Sequence, residues 1–160
     1  MKQIDFSPKY VYDSPMFMIT VSVVVIDENG VILVEDGMDT SGVAAVDVYK
    51  FPSGIVKAGQ ESIQFAAVRH LKEQTGILVK KDSLIPVDFR SEPERSESGN
   101  VVDIGFVTTI DSTGEKHNGK WIQVDFEEKK LVSSDISQLS EDNQILLQRA
   151  LDIVLMVKND

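Results

Sequence analysis

Arg69, His70, Glu73 and Gln74 lie within one short stretch, preceded by Glu61 and by a run with glycines at 54 and 59. His70, Glu73 and Gln74 stand at i, i+3 and i+4. On a helix those positions share one face, a turn apart. An imidazole, a carboxylate and an amide placed together can orient a water or offer oxygen to a cation. Glu61 stands eight residues before Arg69.

The elements around these residues follow from periodicity and turn chemistry. Met16–Ile26 is rich in Val, Ile and Thr and is expected to form a buried strand. Asn29-Gly30 marks a hairpin turn, with Val31–Glu35 as the return strand. Val46–Phe51 is expected as a short strand, followed by a loop from Pro52 to Gln60. Ser62–Thr75 predicts a helix, with Ser62 as its cap, Ile63, Ala66, Ala67 and Leu71 on the apolar face, and Gly76 just past its end. Ile77–Val79, Leu84–Phe89, Val101–Ile110 and Trp121–Val124 are expected strands. Ser140–Val157 predicts a last helix, apolar at Ile145, Leu146, Ala150, Ile153, Val154 and Val157. Residues 1–15 form an irregular lead-in to a single domain over 1–160. Strands between two well-separated helices fit an α/β fold, a mixed sheet sandwiched between helices.

The segments Phe51-Pro52-Ser53-Gly54, Ala58-Gly59-Gln60-Glu61-Ser62 and Ala66 through Ile77 resemble the Nudix box. That pattern is G-x5-E-x7-R-E-U-x-E-E-x-G-U, where U is a bulky aliphatic. Arg69, Gly76 and Ile77 match it, and Glu61 aligns with the upstream glutamate after a one-residue insertion in the loop. Of the three helix glutamates only Glu73 is kept; His70 and Gln74 replace the others. The resemblance implies the Nudix fold over nearly the whole chain. It also implies Mg²⁺ or Mn²⁺, hard ions held by oxygen ligands, which neutralise a diphosphate and activate water. Two carboxylates short, this box is degenerate and any ion is weakly held. The metal ligands it implies are Glu73, a backbone carbonyl at Ser53, and Glu115.

Glu115 enters because many relatives carry an acidic residue a few positions before a tryptophan, here Trp121. It can equally be a solvated loop glutamate. His70 can be a ligand, a general base or a structural substitute. Arg69 and Glu61 are expected to support the loop. Arg90 to Phe106 is similar to the loop and strand of ADP-ribose pyrophosphatase-like Nudix proteins, matched at Pro93 and Arg95. Arg95 can hold a phosphate through its planar fork. Gly54 and Lys57 complete the substrate-binding candidates, and Glu92, Glu94 and Glu97 are possible replacement carboxylates. Trp121 is expected in the core beside the last helix, Phe51 and Phe106 in the core as well, and His117 exposed.

The net charge of −10 disfavours nucleic acid and anionic membranes as partners. The chain has no cysteine, which excludes disulfides and thiolate chemistry. Met1–Asp13 lacks a signal-peptide pattern and no apolar run spans a bilayer, so a cytoplasmic location is expected. Nudix proteins are often dimers, and no patch in the sequence identifies an interface. Two functions follow. One is a divergent hydrolase of nucleoside diphosphate derivatives, ADP-ribose-like first, with Glu73, His70 and Glu115 in catalysis. The other is an inactive module that binds a nucleotide metabolite or a partner protein.

Overall fold

A computed structural model describes residues 17–36, 49–95, 99–111, 116–132 and 139–159. The central strand β1 (Met18–Asp27) turns at Asp27-Glu28-Asn29-Gly30 into β2 (Gly30–Glu35). Gly30 takes φ +120°, and a Cβ there would fall 1.9 Å from the Ile122 carbonyl oxygen, so the turn needs glycine. β3 (Tyr49–Lys50) pairs with β2, and β4 (Ser53–Ile55) pairs with β1. Helix α1 (Ile63–Thr75) follows, then β5 (Ile85–Arg90), β6 (Val101–Thr109), β7 (Lys120–Ile122), β8 (Val124–Asp125), β9 (Lys130–Leu131) and helix α2 (Glu141–Lys158).

The seven-stranded sheet runs β3-β2-β1-β6-β5, with β4 beside β1 and β7 beside β2; β8 and β9 form a small separate ribbon. β1 and β6 are parallel from Met18/Val101 to Ile26/Thr109, and the other pairs are antiparallel. Alternation along β1 sorts the two faces. Val21, Val23 and Val25 join Ala66, Ala67, Leu71 and Phe106 under α1. Val24 and Ile26 join Phe51, Val107 and the α2 residues Leu146, Leu147, Ala150, Leu151 and Val154. Phe51 and Phe106 are both buried, as expected.

α1 is capped as its sequence predicts: the Ser62 hydroxyl accepts from the Phe65 N–H at 3.1 Å, and Gly76 is left-handed at φ 80°. Ser140 caps α2 through the Asn143 N–H at 3.2 Å. Four expectations are corrected. Ser53–Ile55 is a strand rather than loop, because β2 leaves β1 after the hairpin and β4 takes its place. Ile77–Val79 is not a strand: Ile77 is buried in the core under α1 and Leu78 is exposed. In α2, Ile145 and Val157 are exposed, and Leu147 and Leu151 face the core. Half-buried Trp121 packs on the α1 side of the sheet, not against α2, with the half-buried His117 edge-on at 6.3 Å. No helix among the described residues is long and apolar enough to cross a membrane.

Candidate active site

Strand β4 and the start of α1 fix the geometry of the box. Gly54 lies opposite Val21 and Ser53 opposite Ser22. Gly54 therefore shares the α1 face of the sheet, and Ser53 the α2 face. The His70 ring covers Gly54 so closely that a Cβ there would lie 2.1 Å from His70 Cε1. Glycine at 54 is what lets the helix side chain lie across the strand.

Hydrogen bonds from α1 then brace the strand. The Gln74 amide donates to the Ser53 carbonyl at 2.7 Å, and its oxygen accepts from the Ser53 N–H at 3.1 Å. His70 Nε2 stands 2.8 Å from the Ile55 carbonyl. A carbonyl can only accept, so Nε2 carries the proton and Nδ1 is the basic nitrogen of the neutral ring. Arg69 Nη2 donates to the same Ile55 carbonyl at 3.3 Å. The two residues that replace family glutamates thus hold the backbone by neutral hydrogen bonds.

Arg69 and Glu61 form a second brace. Arg69 Nε and Nη2 reach the two Glu61 oxygens at 2.9 and 2.6 Å, a bidentate pair. Glu61 also accepts from the Lys57 N–H at 3.0 Å, which closes the loop onto the helix. The hydrogen bond from Arg69, with that from Lys57, lowers the Glu61 carboxyl to a pKa of about 2. The same bond raises Arg69. Arg69 Nη1 also reaches Glu73 at 3.4 Å, but the Glu73 side chain stays 58% exposed. The exposed Lys57 contributes here through its backbone.

Of the residues expected to hold a divalent ion, Ser53 and Glu73 are described, and each already has a partner within the chain. The Ser53 carbonyl already accepts from Gln74, and Glu73 leans on Arg69. Glu115 and Glu97 lie outside the described residues. Among the described residues no three His, Asp or Glu side chains form a cluster able to hold a metal ion. The helix face therefore does not fit a tightly held Mg²⁺ or Mn²⁺, which needs several oxygen ligands with charge.

On the α2 side of the sheet, a polar cleft of about 270 Å³ reaches Ser53 and Gly54 and is lined by Thr20, Ser22, Lys50, Arg90, Arg95, Asp103, Asp142 and Asn143. Its floor follows from register: Thr20 and Arg90 both lie opposite Asp103. Asp103 accepts from Thr20 at 2.6 Å, from Ser22 at 3.0 and 3.1 Å, and pairs with Arg90. Arg95 turns its fork onto Asp142, with Nε and Nη2 each at 2.8 Å, and its Nη1 onto the Arg90 carbonyl at 2.7 Å. The Arg95 fork, expected to face a phosphate, thus meets a carboxylate of the chain itself. Glu92 and Glu94 are exposed and line a neighbouring cavity with Arg95. The sequence reading passed over Thr20, Ser22, Arg90, Asp103 and Asp142. Polar residues interrupting an apolar strand (Thr20, Ser22, Asp103) were the available signal.

Comparison with known proteins agrees with this architecture. The NUDIX domain model matches residues 16–149. An ADP-ribose pyrophosphatase of Methanocaldococcus jannaschii is 37% identical over 62 residues, a match that covers 39% of this chain and only 35% of that protein. A MutT/nudix family protein from Enterococcus faecalis superposes with a TM-score of 0.69 at 17% identity, over 92% of this chain and 68% of that one. The NUDIX domain of Shewanella oneidensis NrtR, solved with ADP ribose, superposes at 0.64 with 16% identity over 94% of each chain. These structures share the fold, and the family model covers most of the sequence. The chain belongs to the Nudix family.

Proposed function

We propose that this chain is a ligand-binding Nudix domain that takes a nucleoside diphosphate derivative without metal-driven turnover. One observation carries the reading: at two positions where the family's box implies carboxylates for an ion, Gln74 and His70 hydrogen-bond the Ser53 and Ile55 carbonyls instead. These bonds add to the Arg69–Glu61 pair in holding the loop on the helix. The diphosphate would lie in the cleft between Ser53-Gly54 and α2, where Lys50, Arg90 and Arg95 are gathered. ADP-ribose is the first ligand to test. The M. jannaschii relative is an ADP-ribose pyrophosphatase, and Pro93 and Arg95 match that branch.

A second reading is slow hydrolysis assisted by Mg²⁺ or Mn²⁺. The exposed Glu73 carboxylate favours it.

Calorimetric titration with ADP-ribose in chelator, together with an assay for AMP release in Mg²⁺ and in Mn²⁺, separates the two. Binding in chelator with no AMP formed is the expected result. Metal-dependent AMP release that Glu73→Gln abolishes would overturn the binding reading in favour of the hydrolase.

A further inference from the structure

Asp142 is held in a way that an anionic ligand would be held. Three guanidinium nitrogens converge on its side chain: Arg95 Nε and Nη2 at 2.8 Å and Arg90 Nη1 at 2.6 Å. Burial alone would raise the Asp142 carboxyl, but the hydrogen bonds from Arg95 and the charge of Arg90 outweigh it and hold the group below the usual carboxylate range. One arginine fork with a second guanidinium beside it is a geometry that also suits phosphate.

Three further observations set this pair apart from a surface ion bridge. Arg90 is 4% exposed, and among the described residues its Nε has no hydrogen-bond partner. A buried guanidinium N–H without an acceptor is costly, so Arg90 has donor capacity to spare. Next, Arg90, Arg95 and Asp142 line two cavities at once. One is the cleft of about 270 Å³ that reaches Ser53 and Gly54, and the other a cavity of about 430 Å³ extending to Glu92, Glu94, Ile145 and Arg149. The Asp142 contact is thus common to the lining of both. Lastly, Asp142 stands in the first turn of α2, where the helix dipole also favours negative charge.

We propose that Asp142 occupies the seat of a ligand phosphate, so that a diphosphate binds to Arg90 and Arg95 by displacing this internal carboxylate. The inference rests on the ligand class proposed above and locates its charged group. Asp103 keeps its hold on the Arg90 Nη2 and the Asp142 main-chain carbonyl its hold on Nη1, which leaves Arg90 Nε and the Arg95 fork for the incoming group. The internal acid acts as a competitor, and apparent affinity falls by the fraction of molecules in which the seat is open.

The test compares wild type with Asp142→Asn, which keeps size and one acceptor but removes the charge. ADP-ribose, inorganic pyrophosphate and adenosine are titrated into each, with thermal unfolding as the check on folding. A charge-assisted contact of this kind is worth about tenfold to a hundredfold. ADP-ribose and pyrophosphate are expected to bind Asp142→Asn tighter by that factor, adenosine to bind equally, and Arg95→Gln added to the variant to cancel the gain. Asp142→Ser repeats the measurement if Asp142→Asn does not fold. Unchanged or weaker pyrophosphate binding overturns the proposal, as does an equal gain for adenosine. ADP-ribose binding that ignores Asp142 sinks this inference and leaves the proposed function standing. Tighter pyrophosphate binding with no ADP-ribose binding in either protein does the reverse.

Discussion

Gly54→Ala tests the packing of His70 on strand β4, and the structure sets its size. Gly54 does not have a positive φ, so alanine suits the backbone and would by itself stabilise by about 0.4–1 kcal/mol through the unfolded state. The new methyl, however, meets the His70 ring at 2.1–2.4 Å. The ring must swing out or the helix must shift. Swinging out forfeits the bond to the Ile55 carbonyl, about 0.5–1.5 kcal/mol, and the ring's packing on the strand. Holding the ring in place costs about 1–3 kcal/mol of overpacking. Either route, less the alanine gain, leaves a loss of about 1 kcal/mol. The same change made in His70→Ala meets no ring, and should then be neutral or slightly stabilising. Urea denaturation of the four proteins in this double-mutant cycle gives the coupling directly, expected at about 2 kcal/mol. If Gly54→Ala costs the same with and without the imidazole, the two residues are not in contact and the braced-strand argument fails.

Gln74→Glu restores a family carboxylate but cannot donate to the Ser53 carbonyl. It should destabilise by about 1–3 kcal/mol in chelator and recover part of that in Mn²⁺, read as a melting temperature with and without the ion. Arg90→Met removes the partner of the buried Asp103 and should cost about 3–5 kcal/mol in urea denaturation. Glu61 is held at a pKa of about 2 in the fold against an ordinary 4.5. Its folded value lies below its unfolded one, so its stabilisation is whole above pH 4.5 and is lost as pH falls toward 2. Melting temperatures across that window should fall less steeply for Glu61→Gln than for wild type.

Much of the frame was legible because local chemistry is decisive there. Ser62 and Gly76 bound α1 as their side-chain and backbone preferences demand, and Asn29-Gly30 turns β1 into β2. The pairing of Arg69 with Glu61 was implied by the resemblance to the Nudix box. The strand at Ser53–Ile55 could not, because its pairing depends on β2 having left the edge of β1. Ile77–Val79 alternates as a strand would, with Ile77 buried and Val79 half-buried against the same core, but it pairs with no strand among the described residues. The cleft was hidden for a related reason. Thr20, Asp103, Arg90 and Asp142 come from four separate elements, and only register and helix placement bring them together. Arg95 was visible as a cation, while its acid is 47 residues away in sequence.

The substitutions at 70 and 74 are better understood as an exchange than as a loss. Glutamates at these positions would crowd like charges beside Glu73 on one face, and each would repel the others unless an ion neutralised them. Histidine and glutamine remove that repulsion. They also supply N–H donors, which a carboxylate lacks, to two carbonyls of the adjoining strand. The strand is then fixed by contacts present in the chain itself. A loop that relies on an ion is stabilised by an amount that grows with the logarithm of the ion's excess over its dissociation constant; braces of this kind do not need that excess. Wild-type melting temperature should therefore be the same in chelator and in Mn²⁺. A rise of several degrees on adding Mn²⁺, absent in Glu73→Gln, would mean that the remaining carboxylates still assemble a metal site and that the neutral braces do not hold the strand alone.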